Sequence, residues 1–130
     1  MRKFLFAILL FALPVLLAAC SSSKPAEAAP VNAPVSISLA TNPDPAKVGD
    51  VELRFTVLEP QGLPVSGADV DVFADHIDMA GMTMHGKATE QGDGVYAITA
   101  NFSMDGNWKL TVQVKKDNLD YQMDIPIVIE

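Results

Sequence analysis

Five stretches of this chain alternate apolar and polar residues with a period of two, and no other feature limits its fold as severely. Val51, Leu53, Phe55 and Val57 are interleaved with Glu52, Arg54 and Thr56. Trp108, Leu110, Val112 and Val114 are interleaved with Lys109, Thr111, Gln113 and Lys115. Tyr96, Ile98, Ala100 and Phe102 form another set, and Tyr121, Met123, Ile125, Ile127 and Ile129 the last. Val70, Val72 and Ala74 alternate with Asp69, Asp71 and Asp75 less cleanly, because Phe73 falls on the polar face. Successive side chains of an extended chain point to opposite faces, so each stretch predicts a strand with one buried side. Val35, Ile37 and Leu39 predict a short first strand, and Met82 to Thr89 a weaker one.

The breaks between these stretches carry turn chemistry. They are Asn42-Pro43-Asp44-Pro45, Pro60-Gln61-Gly62, Gly92-Asp93-Gly94, Asp105-Gly106 and Asp117-Asn118. No stretch after residue 34 has capped helical periodicity. The expectation is an all-β domain over residues 35–130: an immunoglobulin-like antiparallel β-sandwich of about seven strands. Trp108 is the expected core anchor, and Pro126 marks the last strand as an edge or a bulge. The core must suffice without disulfides, because the chain has one cysteine.

That cysteine, Cys20, follows Leu17-Ala18-Ala19 at the end of an apolar run from Phe4, itself preceded by Arg2 and Lys3. A basic start, an apolar stretch and small residues before a cut site make a secretory signal peptide. The run is interrupted by Pro14 and is short for a bilayer-spanning helix, which needs about 20 apolar residues. Leu17-Ala18-Ala19-Cys20 resembles the lipobox of bacterial lipoproteins. The resemblance implies a lipoprotein signal peptide at 1–19, cleavage before Cys20 and acylation of its thiol. Two or three acyl chains would hold it firmly, at about 0.8 kcal/mol per buried methylene. Residues 20–34, rich in serine, alanine and proline, read as a disordered tether. The expected location is the cell envelope, lipid-anchored on the extracytoplasmic side. Ser21, in place of an aspartate, favours the outer membrane in a host that has one.

Of 9 Lys and Arg residues, Arg2 and Lys3 leave with the leader, so the mature chain sets seven basic against sixteen acidic residues, a net charge of −9. That balance argues against nucleic acid, which needs a basic patch, and against attraction to anionic lipids. The sequence marks no nucleophile–base constellation and no glycine-rich phosphate loop, so an enzyme is not expected.

One segment departs from plain scaffold: His76-Ile77-Asp78-Met79-Ala80-Gly81-Met82-Thr83-Met84-His85. It holds both histidines and three methionines. Thioether is a soft ligand and imidazole a borderline one, a set suited to Cu(I) over hard cations. Met82 and Met84 point to one face of an extended chain, and His85 to the other. His76 continues the inward face of Val70, Val72 and Ala74. Gly81 permits a turn that returns His76 and Met79 toward Met82 and Met84. The candidate ligands are His76, Met79, Met82 and Met84, with His85 as an alternative or second site, and Asp75 and Asp78 available to orient an imidazole. Methionine also fills gaps in cores, so Met82 and Met84 read equally as core-facing residues.

Pro64-Val65-Ser66-Gly67-Ala68-Asp69-Val70, the methionine stretch, Gly94-Val95-Tyr96 and Met104-Asp105-Gly106-Asn107-Trp108 together resemble the YtkA-like (FixH-like) domain, from about Val35 to Glu130. The resemblance implies an immunoglobulin-like sandwich, often membrane-tethered, from a family many of whose members occur near copper-handling or cytochrome oxidase assembly genes. It implies copper, as Cu(I), for the Met/His loop and a copper-accepting or assembly protein as partner. Two functions stay open: a lipoprotein that binds or delivers copper, and a non-metal structural or assembly module that holds a protein partner in the cell envelope.

Overall fold

The computed structural model describes residues 33–130. The expected signal peptide at 1–19, Cys20 and all of the expected tether except Ala33 and Pro34 lie outside the described residues. Within them the chain forms seven strands: β1 (Ser36–Asn42), β2 (Gly49–Leu58), β3 (Asp69–His76), β4 (Thr83–Gly92), β5 (Val95–Phe102), β6 (Gly106–Lys116) and β7 (Leu119–Ile129). Every neighbouring pair is antiparallel, in the order β1-β2-β5-β4-β3-β6-β7. The all-β sandwich read from the sequence is the fold found.

Strand β4 belongs to both layers. Its first half pairs with β3, from Thr83 opposite Asp75 to Ala88 opposite Val70. Its second half pairs with β5 through Thr89, Glu90 and Gly92, with an irregularity between Glu90 and Gly92. This crossing explains why β4 was the faintest strand in the sequence. Its inward positions are Met84, Gly86 and Ala88. At Gly86 an added Cβ would lie 2.5 Å from Ile98 Cδ1, so a side chain there requires the tip of Ile98 to move. Ahead of the crossing, the layers part around a cavity of about 170 Å³ whose lining includes Leu53, Ala74, Met84 and Ile98.

The alternating residues meet where the pattern places them. Trp108, Tyr96, Phe55, Phe102, Leu53 and Leu110 are the largest fully buried side chains. Trp108 is 1% exposed and meets Phe102 edge to face at 5.1 Å between ring centroids. β7 is an edge strand, and Pro126 lies on its exposed face. On an edge strand its missing N–H disturbs the ladder least.

A second buried knot ties the turns together. The Tyr96 hydroxyl donates to the Val65 carbonyl at 2.8 Å and accepts from the Ala68 N–H at 3.1 Å. The Gly67 N–H donates to the Glu90 carboxylate at 3.1 Å. Gly94 leaves no room for a side chain, since a Cβ would fall 2.6 Å from the Val57 carbonyl oxygen. The landmarks Pro64–Val70 and Gly94–Tyr96 are therefore one structural unit. Burial raises the Tyr96 phenol above its ordinary pKa, and the Ala68 hydrogen bond opposes that shift.

Candidate functional site

His76 closes β3 on the inward face and is 9% exposed. It stands opposite Trp108 of β6, and the two rings meet edge to face at 4.8 Å. On its other side the chain reverses through Ile77–Gly81, and the His76 N–H donates to the Met82 carbonyl at 3.0 Å. Gly81 adopts a φ of 87°, the conformation this tight return requires. Residues paired across antiparallel strands share a face, so Met84, opposite Ala74, and Met82 lie on the same inward side as His76. Both methionines are half-buried and pack against the core.

The imidazole is held from a distant part of the chain. His76 Nε2 lies 3.0 Å from the backbone carbonyl oxygen of Asp105. A carbonyl only accepts, so Nε2 carries a proton, and in the neutral imidazole Nδ1 keeps the lone pair. Nδ1 is buried and has no hydrogen-bond partner. Gly106 packs against the ring edge: a Cβ there would fall 3.0 Å from Nε2 and 3.3 Å from Cε1. Two residues before Gly106, Met104 accepts the Trp108 indole N–H on its backbone carbonyl at 3.3 Å. The Met104–Trp108 landmark is thus a cradle for His76 and Trp108.

The five predicted ligands do not form one cluster. His76, Met82 and Met84 share the inward face. Met79, 44% exposed, sits on the turn between β3 and β4. His85 lies on the outer face of the sheet, stacked on Phe73 at 4.4 Å with Nε2 3.7 Å from Asp71 Oδ1. The strands separate it from His76, so the two imidazoles do not share an ion. The expected help from Asp75 and Asp78 takes another form. Asp78 accepts from the Asn107 side-chain amide at 3.1 Å and pins the turn to β6. Asp75 borders the shallow outer surface beside His85. The Asp105 carbonyl, absent from the sequence reading, orients His76. No group of three or more His, Cys, Asp or Glu side chains suited to an ion occurs among the described residues, so a site around His76 needs the thioethers.

A family model described as YtkA-like matches residues 31–113. No curated protein matches the chain. Among solved structures, the soluble domain of PmoD from Methylocystis sp. ATCC 49242 (Rockwell) is similar, with 12% identity and a TM-score of 0.49 over 74% of this chain and 90% of that one.

Proposed function

The chain belongs to the YtkA-like family, and from that premise we propose that it is a membrane-anchored extracytoplasmic lipoprotein that binds or delivers copper as Cu(I). His76, Met82 and Met84 would hold the ion, with Met79 as a further thioether on the exposed turn. His85 is left out of this ligand set because it faces the other way. The reading is of a carrier rather than an enzyme, since copper here is cargo and no nucleophile–base pair accompanies it.

One observation carries the proposal: the buried, unpartnered Nδ1 of His76 on the same inward face as Met84 and Met82. An orphaned buried acceptor costs a fold about 1–3 kcal/mol, and ligation removes that cost. A metal-binding histidine typically donates its other ring N–H to a carbonyl or carboxylate, which fixes the tautomer. The Asp105 carbonyl does this for His76. Thioether and imidazole favour Cu(I) over Zn(II) and Mg(II).

The test is a Cu(I) competition titration of the chain and of a Met82→Leu/Met84→Leu double variant. Leucine conserves volume, so the fold should lose less than about 1.5 kcal/mol per site. The double variant should lose most of its Cu(I) affinity while the wild type prefers Cu(I) to Zn(II). Affinity that survives the substitution defeats the copper reading, and the non-metal assembly module then leads.

A further inference from the structure

The sandwich has two flanks, and the one between β1 and β7 is open in a way the copper reading does not use. β1 pairs with β2 alone, and among the described residues its outer edge has no backbone partner. β7 pairs with β6 alone. The two flanks are joined near one end, where Glu130 N–H donates to the Ala46 carbonyl and Val48 N–H to the Glu130 carbonyl, both at 2.9 Å. Beside this junction runs a groove of about 660 Å³. Leu39, Trp108 and Ile127 line it, and Ile77 and Val128, each 59% exposed, stand at its rim. Ile77, just past the end of β3, and Val128 of β7 flank Asn107 of β6 in one row.

The occupant follows from chemistry. Edge strands are normally defended by charged residues or proline, since a bare edge recruits another strand. β7 is defended by Asp120, Asp124 and Pro126. β1 reads Ser-Ile-Ser-Leu-Ala-Thr-Asn, with no charge and no proline. Its edge is undefended beside exposed apolar side chains. The charged residues that line the groove are Asp44 and Glu130, with no lysine or arginine among its lining. This acidic lining, on a chain of net charge −7, repels an anionic membrane surface and attracts a cationic partner. The groove also reaches the end of the sandwich that bears Ile77 and Trp108. Pro34 and Val35, where the tether joins, lie instead beside Glu59, Lys116 and Leu119.

We propose that the groove between β1 and β7 takes up an extended segment of a partner protein, in which apolar residues alternate with lysine or arginine. The segment adds as a strand to the free edge of β1. Its backbone pairs with β1, its apolar side chains meet Leu39 and Ile127 on the inward side, its end passes Ile77 and Val128 at the rim, and its cations meet Asp44 and Glu130. The groove borders the His76 end of the domain, but this docking does not depend on an ion being bound.

The probe is a short alternating Val-Lys peptide, with the alternating Val-Glu peptide as its counterpart, added to the full chain in nonionic detergent. Trp108 is the only tryptophan and lines the groove, so its fluorescence reports occupancy directly. The Val-Lys peptide should shift Trp108 emission saturably, slow hydrogen exchange at β1 amides and bind more weakly as salt rises. The Val-Glu peptide should do none of these. Ile77→Ser with Val128→Ser, both exposed, should weaken Val-Lys binding about tenfold through lost apolar burial. Leu63→Ser, at an exposed position away from the groove, should leave it unchanged. Equal binding of both peptides, no binding of either, or indifference to the Ile77/Val128 change overturns the proposal. Sedimentation showing self-association that the same change abolishes would give the groove to a second copy of the chain and also overturn it. Cu(I) affinity should be unaltered in the single Val128→Ser variant, so failure here is distinguishable from failure of the copper reading.

Discussion

Replacing Gly106 with alanine tests the cradle around His76 through a single added carbon. The new Cβ would lie 3.0 Å from His76 Nε2 and 3.3 Å from Cε1, on a backbone at φ 117°. Two costs follow. Holding a non-glycine residue in a sparsely populated backbone region costs about 1–3 kcal/mol. Forcing an extra carbon into a packed site costs about 1–3 kcal/mol more. A total of about 2–6 kcal/mol is a large share of the roughly 5–15 kcal/mol that holds a domain together. It corresponds to a fall in Tm of about 4–8 °C per kcal/mol for a domain of this size. Gly62 supplies the control: its φ is 86°, and a Cβ there meets nothing within 4 Å. Gly62→Ala therefore carries the backbone cost alone. The assay is urea unfolding followed by Trp108 fluorescence. Gly106→Ala should be destabilised by about 1–3 kcal/mol more than Gly62→Ala, and adding His76→Ala should recover much of that difference, since the two residues are coupled by contact. Equal losses at Gly106 and Gly62 would refute the packing of His76 against this turn.

Further outcomes are expected elsewhere in the chain. Trp108→Ala should cost about 3–5 kcal/mol in the same unfolding assay, because the ring is fully buried. Tyr96→Phe should cost about 1–3 kcal/mol, since the Val65 carbonyl and Ala68 N–H lose their shared partner. The folded Tyr96 phenol holds its proton more tightly than the unfolded one. Its contribution is thus complete below pH about 10 and is lost as pH rises beyond it. Wild-type stability should fall over that range more steeply than that of the phenylalanine variant. Cys20→Ala should abolish fatty-acid labelling, and labelling that persists would contradict the proposed lipid anchor.

The fold was legible because its inward residues are large and regularly spaced. β2, β5, β6 and β7 each carry alternating Val, Leu, Ile or aromatic side chains, and their burial follows that spacing. β4 was faint because its inward positions carry Gly86 and Ala88 in place of large apolar side chains. The same periodicity placed His76 inward and His85 outward before any coordinates. The partner of His76 was hidden, because a backbone carbonyl 29 residues away leaves no mark on side-chain chemistry. Only the β3–β6 register brings Asp105 and Gly106 to the imidazole. Asp78 looked like a candidate to orient the ring, but its nearness in sequence misled: it binds Asn107 instead. The groove between β1 and β7 was equally illegible, since it joins the first and last strands of the domain.

The most direct measurement of the central claim is nitrogen-15 NMR of the histidine side chains during Cu(I) addition. The account predicts that His76 Nδ1 shifts strongly, that His76 Nε2 keeps its proton on the Asp105 carbonyl, and that His85 stays unchanged at stoichiometric Cu(I). A first response from His85, or none from His76 Nδ1, would contradict it.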